Sequence, residues 1–311
     1  MFRGSLRPRA SIIVSRHGVT NHVSADDQLE HLASLLTFPC LTMSCPQLDN
    51  VAVHVESDAI AVLKLNRPAA LNALNTSLLK DLLAALRWAE NEAAIRVVVL
   101  SGEGRTLTVG LDLLDQDVQG EDAMVSDAFV DALSSVQESL INSNKIIISA
   151  VKGPAPGWGT SSLALSDLVY ATCDAYFFTP FVKWGLCAEA CSSQTLMRTM
   201  GRQRASALIL AGAKMTAHDL KSSGLVTEIF DNDGFMESVL GVARSILQLP
   251  NGALTANKKL MMAGTREMLL ETNRREMIEF RRLARGKECR EAVAAFTASQ
   301  DRKKQGKHSK I

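Results

Sequence analysis

The chain has no surplus of either charge: 34 Lys and Arg stand against 33 Asp and Glu in 311 residues. Duplex binding needs clustered cations in excess, which argues against nucleic acid as a partner. Nor is there a long apolar run. The longest uncharged stretch, residues 31–48, is broken by Ser34, Thr37, Pro39, Thr42, Ser44 and Pro46, whereas a membrane-spanning helix needs about 20 consecutive apolar residues. The six cysteines, at 40, 45, 173, 187, 191 and 289, lack the paired spacings of a zinc ribbon or a disulfide framework, a pattern that suits a reducing compartment. Cys187 and Cys191 would face each other on a helix. No histidine lies near them in sequence, and zinc takes about four ligands, so no metal site is expected. Histidine is scarce too, at 17, 22, 31, 54, 218 and 308, in segments that read mostly as peripheral; a Ser/His/Asp triad has little to build with.

What is present is globular: 47% hydrophobic and 22% charged residues, enough for one large domain or two smaller ones. Residues 1–44 form an N-terminal extension whose first 25 residues carry Arg3, Arg7, Arg9 and Arg16 without Asp or Glu, as in a mitochondrial transit peptide. Met43 offers an alternative start. Residues 301–311 form a basic tail ending in Ser309-Lys310-Ile311, one conservative change from the Ser-Lys-Leu peroxisomal address. The peroxisome or a related organelle is the expected location, with the mitochondrial matrix as the alternative. Each end contributes +4, leaving the rest near −7.

From Val51 to Leu65 two short alternating runs flank Ser57-Asp58, which predicts a strand pair. Leu78, Leu79, Leu82, Leu83 and Leu86 then share a helical face. Ile95–Leu100 and Ile146–Val151 are apolar runs broken only by Arg96 and Ser149 and predict buried strands. Helical patterns dominate from Ser192 onward, interrupted by a strand-like Leu225–Phe230. The division expected is an α/β body over 45–248 and a helical region over 249–300, with Asn251-Gly252 after Pro250 as a joint. Met261, Met262, Met268, Leu269, Met277 and Phe280 form a stripe that packs on the body or on a neighbouring subunit.

Two segments share one layout, a buried strand running into a glycine-containing turn: Val97–Leu100 leading to Val109-Gly110-Leu111-Asp112, and Ile148–Val151 leading to Pro156-Gly157-Trp158-Gly159. Turns of this kind leave backbone N–H groups unpaired, able to polarise a carbonyl oxygen. A single such turn would be unremarkable.

The full order resembles a known family. Asn66-Arg67-Pro68-Ala69-Ala70-Leu71-Asn72-Ala73-Leu74, Arg96–Gly102, Val109–Leu113 and Ala150–Ala155 are similar to blocks of the enoyl-CoA hydratase/isomerase, or crotonase, family, over roughly residues 50–300. Phe178–Phe181, Gly185–Ser193, Lys214–Ala217 and Gly224–Phe230 resemble its peroxisomal-type Δ3,Δ2-enoyl-CoA isomerases. The resemblance implies an α/β spiral of ββα repeats with a helical C-terminal region, assembled as a homo-trimer or hexamer. It implies Glu189 as the acid/base, and the backbone N–H groups of Val109 and Trp158 as the oxyanion hole. Ala70, Leu71, Val109, Gly110, Leu111, Asp112 and Gly157 would line the acyl-CoA site, with Asp112 in a structural, hydrogen-bonding role.

The departures from the family pattern sharpen the expectation. The two carboxylates of the hydratases would fall at Ser161 and near Phe181, and neither is an acid. Leu107 replaces a common aromatic, and Trp158 stands where hydratases have glycine. Moving a double bond from C3 to C2 of an acyl thioester takes a proton from C2 and returns one at C4, which a single carboxylate can do without metal or redox cofactor; coenzyme A is part of the substrate. The expected activity is therefore that of a Δ3,Δ2-enoyl-CoA isomerase in fatty acid β-oxidation. The alternatives are hydration, dienoyl-CoA isomerisation, or non-catalytic acyl-CoA binding as in the chromodomain Y-like proteins.

Overall fold

A computed structural model describes residues 44–115 and 125–308, with side chains described up to residue 298. The two proposed targeting segments, Met43, and His17, His22 and His31 lie outside the described residues, as do the side chains of the basic tail. All the described strands and helices belong to one compact unit that begins at Cys45.

The expected strand pair forms. β1 (Val51–Glu56) and β2 (Ile60–Leu65) pair antiparallel about a turn in which Ser57 and Asp58 both have positive φ. The leucine stripe folds as α1 (Thr76–Asn91), capped by Asn75, whose side chain accepts the Leu78 N–H at 2.9 Å. β3 (Val97–Gly102) begins two residues later than the apolar run, because the Ile95 N–H closes a turn onto Glu92.

α2 (Asp127–Asn142), capped by Ser126, is an element beyond those expected, although Phe129, Val130, Leu133, Val136 and Leu140 carry its period. β4 (Ile146–Val151) forms as expected. Beyond it come β5 (Pro154–Pro156), the single-turn α3 (Trp158–Ser161), β6 (Leu168–Thr172) and β7 (Tyr176–Phe178). Then follow α4 (Ser192–Met200), α5 (Arg202–Ile209), β8 (Met215–Thr216) and α6 (Ala217–Ser222).

Within the strand-like Leu225–Phe230, only β9 (Glu228–Phe230) joins a sheet, since the Leu225 and Val226 N–H groups bond back to Leu220. The remainder is helical: α7 (Phe235–Leu247), α8 (Asn251–Met262), α9 (Thr265–Ala284) and α10 (Lys287–His308). Arg96 ties the expected joint to the body, its guanidinium donating to the carbonyls of Leu247 and Leu249 and to Asn251 Oδ1.

The large sheet runs β1-β2-β3-β4-β6-β9, parallel after the first pair; the small one runs β5-β7-β8. The chain alternates between them. β4 leads to β5 and then α3, and β6 leads to β7 and then α4. The two earlier turns repeat the order in miniature: β2 and β3 lead to Leu74 and Leu111, which form a parallel bridge. Both faces of the large sheet are covered. Val62, Val99, Ile148 and Tyr170 pack on Phe235, Val239 and Ala243 of α7, and the alternate residues Leu63, Val98 and Ile147 are equally buried. Burying each such side chain contributes roughly 1.5–3 kcal/mol.

The C-terminal stripe packs only in part. Leu269, Met277 and Phe280 are buried and Met262 and Met268 pack on the cluster of Ile141, Cys191 and Leu269, but Met261 is 76% exposed, because it lies on the outer side of α8.

Candidate active site

The turns that leave the two sheets meet at a cavity of about 520 Å³. Its mouth is formed by Ala70 and Leu71, Val109 to Leu114, and Pro156 to Trp158; its interior is walled by Phe129 and Leu133 of α2, Phe181, and Phe280 of α9. Among the described residues only Asp112, Lys183 and Glu189 bring ionisable groups to this lining.

Glu189 lies in the loop before α4 and is 4% exposed. Its Oε2 accepts from Gln137 Nε2 at 2.8 Å and its Oε1 accepts from the Ser161 hydroxyl. Gln137 follows Phe129 and Leu133 at intervals of four, on one face of α2, so the stripe that walls the cavity also delivers this amide to the carboxylate. Burial pushes the Glu189 carboxyl up to about 8; the Ser161 hydrogen bond opposes the shift and the charge of Glu276 adds to it. The result is a carboxyl poised near neutral pH in an apolar chamber.

Asp112 is tied down instead. Its Oδ2 pairs with Arg67 Nη1 at 3.0 Å, Oδ1 accepts the Leu114 N–H at 3.3 Å, and Arg67 reaches Asp115 and the Ala73 carbonyl as well. This network joins the first and second mouth loops.

The backbone corrects one expectation. The Val109 N–H is already engaged, donating to the Leu71 carbonyl at 3.2 Å. Its neighbours are engaged too: the Gly110 N–H donates to Thr108 Oγ1 at 3.1 Å and the Asp112 N–H to the Leu74 carbonyl at 2.9 Å. Leu111 is the residue between the two bridge hydrogen bonds to Leu74, and its own N–H meets no acceptor among the described residues. Trp158, the first residue of α3, likewise has its N–H unspent. The two turns touch: a Cβ built on Gly110, whose φ is +81°, would lie 3.0 Å from the Pro156 carbonyl oxygen and 3.6 Å from the Trp158 nitrogen.

Two buried turns with unspent N–H groups, beside one basic carboxylate, coincide with a sequence match: residues 55–306 fit the family Enoyl-CoA hydratase/isomerase. The chain belongs to this family. It is 32% identical over 240 residues to the Enoyl-CoA delta isomerase 2 of Rattus norvegicus, covering 76% of the chain and 61% of that protein. It is also 32% identical over 249 residues to a Probable enoyl-CoA hydratase of Rhizobium meliloti, covering 80% and 95%. The chain thus spans about three fifths of the delta isomerase. A crystal structure of an enoyl-CoA hydratase/isomerase from Pseudoalteromonas atlantica superposes with a TM-score of 0.74 at 31% identity, covering 81% of this chain and 98% of that one. The fold is the crotonase spiral, with its helical C-terminal region.

As a hydratase/isomerase family member the chain has its own polar arrangement. Ser161, at the place of a hydratase acid, donates a hydrogen bond to Glu189 beside that from Gln137, and Phe181 is an apolar wall. The Trp158 indole is buried, its Nε1 without a hydrogen-bond partner. Cys187 and Cys191 do not share a helix: Cys191 has φ 59° at the cap of α4, and the two thiols turn to the carbonyls of Glu276 and Leu269. No cluster of three or more potential metal ligands occurs among the described residues. Gln137 is a site residue that the sequence patterns did not mark; one polar residue inside the apolar stripe of residues 129–141 was the available signal.

Proposed function

We propose that the protein is a Δ3,Δ2-enoyl-CoA isomerase that moves the 3-ene of an unsaturated fatty acyl-CoA to the trans-2 position, in the β-oxidation of such chains. The observation that carries this reading is the lone basic carboxylate: Glu189 stands in the apolar chamber, where Ser161 and Phe181 occupy the places expected of hydratase acids. In this reading Glu189 takes the C2 proton, the thioester oxygen accepts the developing charge, and Glu189 returns a proton at C4. Atoms and electrons balance within the substrate, so the reaction calls for no cofactor.

The oxyanion hole is assigned to the N–H groups of Leu111 and Trp158, with Ala70, Leu71, Gly110 and Gly157 around the thioester and Asp112 fixing the loop. Each such donor contributes about 10²–10³ in rate.

The mouse relative named Enoyl-CoA delta isomerase 3, peroxisomal, and the tail Ser309-Lys310-Ile311 support a peroxisomal location. Leu260 and Met261, 74% and 76% exposed, support burial of α8 in a homo-trimer or hexamer.

The test is conversion of 3-hexenoyl-CoA and 3-dodecenoyl-CoA, followed in the ultraviolet as the double bond conjugates to the thioester. Wild-type activity that falls about 10²–10⁴-fold in Glu189→Gln supports the reading. A folded wild type that binds acyl-CoA without converting it overturns the reading in favour of a binding protein, and addition of water to 2-enoyl-CoA overturns it in favour of a hydratase.

A further inference from the structure

Glu276 does not line the cavity, yet it governs the loop that carries Glu189. It lies on the buried face of α9, between Asn273 and Phe280, and is 7% exposed. Its Oε2 accepts the Cys191 N–H at 2.7 Å and its Oε1 the Ser193 N–H at 2.9 Å. A carboxylate from a helix more than 80 residues away thus caps α4, which has no side-chain cap of its own.

The segment it holds is strained. Ala190 and Cys191, directly after Glu189, have φ of 54° and 59°, a left-handed region in which the Cβ of an L-residue crowds the backbone. That turn sends the Glu189 side chain into the cavity.

Capping alone does not require a charge. The chain caps α1 and α2 with Asn75 and Ser126, both neutral. A buried charge is a costly way to satisfy two N–H groups unless the charge itself is used.

We propose that Glu276 is a positioning residue for Glu189: its two backbone hydrogen bonds hold the strained 189–191 turn, and its carboxylate, buried behind that turn, supplies a negative charge that acts on Glu189. The inference rests on the isomerase reading only in what Glu189 does with its proton.

The surroundings leave few other groups to supply this field. Burial pushes the Cys187 thiol up to about 12 and the Cys191 thiol higher still, so both are neutral. From α2 the groups presented to Glu189 and to Asn273 are Gln137 and Ser134, and from α3 Ser161, all uncharged. Glu279 and Arg282 pair with each other at the surface, and Lys183 is the one cation lining the described cavity. Burial pushes the Glu276 carboxyl up from its ordinary value, the two N–H donors at the start of α4 oppose that shift, and once ionised its charge raises the affinity of Glu189 for a proton.

The decisive experiment titrates the Glu189 carboxyl by infrared spectroscopy, assigning its C=O band as the one missing in Glu189→Gln, in the full-length wild type and in Glu276→Gln. The expected result is a midpoint lower by on the order of one pH unit in Glu276→Gln, with the acid limb of kcat moving the same way and its plateau falling. A folded Glu276→Gln with an unchanged Glu189 midpoint overturns the proposal, since a purely structural cap would lower the rate without moving the midpoint.

Glu276→Asp provides a second arm should Glu276→Gln fail to fold. It keeps the charge and retracts the carboxylate by one methylene, so kcat should fall about tenfold or more through misplacement of the base, with the midpoint near that of the wild type. Wild-type kcat in Glu276→Asp also overturns the proposal. Absence of isomerase activity in the wild type would sink the reaction proposed above, and the infrared titration would still decide the effect of Glu276.

Discussion

The Ser161 hydroxyl donates to Glu189 Oε1, and the Gly157 carbonyl lies 3.2 Å from the same hydroxyl oxygen. Ser161 therefore has a second acceptor to turn to once Glu189 carries a proton. Its bond stabilises the carboxylate and opposes the effect of burial. Removing it in Ser161→Ala should raise the Glu189 pKa beyond about 8, moving the acid limb of kcat to higher pH. The variant should lose more activity at pH 7 than at pH 9. Equal losses at both would show that Ser161 acts on shape alone.

Glu189 also makes stability depend on pH. A carboxyl of ordinary value 4.5, raised to about 8 in the fold, keeps its proton when folded and loses it when unfolded between those two values. The folded state then binds more protons, and stability falls as pH rises through that window. Glu189→Gln removes the effect. Its new amide can be accepted by Gln137 Oε1, which is buried and unpartnered here, once Gln137 turns over. The variant should melt above the wild type at pH 9 and approach it at pH 4, with each kcal/mol gained raising Tm by about 2–4 °C. Calorimetry at the two pH values checks this.

Gly110 is a point of close approach between the two mouth turns. A side chain there would press on the Pro156 carbonyl and stand beside the Trp158 nitrogen, at a φ that glycine alone adopts freely. Gly110→Ala should lower kcat by about 10²–10³, the effect of losing an oxyanion donor, while acyl-CoA binding measured by calorimetry falls much less. Retention of wild-type kcat would remove the Leu111–Trp158 pair as the oxyanion hole.

Arg67 is the bolt between the first two loops, bonded to Asp112, Asp115 and the Ala73 carbonyl. Arg67→Ala removes these partly buried hydrogen bonds, although Asn75 still donates to Asp115 and the Leu114 N–H to Asp112, at about 1–3 kcal/mol in stability. Because the loops it joins form the mouth, KM for acyl-CoA should rise by at least about tenfold, with kcat lowered less. Unchanged KM with a lower Tm would assign Arg67 to stability alone.

Much of the fold was legible in the residues. The alternation of Val51–Leu65, the leucine stripe of α1 and the β-branched run of β4 each bury the face that their period predicts. The short strands β5, β7 and β8, of two or three residues, carry no such period, because they are defined by partners distant in sequence. The expected hydrogen-bond donor at Val109 failed for a related reason. Which N–H of a turn stays free depends on whether the Leu71 carbonyl arrives to take it, and that carbonyl comes from another turn of the spiral.

The amino-acid sequence by itself determined the family, the β1–β2 pair, the leucine helix α1 and the buried strands β3 and β4, and the presence of Glu189 without acids at Ser161 and Phe181. These are matters of residue type and spacing. Only the tertiary structure decided what surrounds that carboxylate: Gln137 from α2, Ser161 from α3, and the capping charge of Glu276 from α9. Burial and through-space charge set the basicity of a carboxylate, and both depend on distances between elements that lie 28 to 87 residues from Glu189 along the chain.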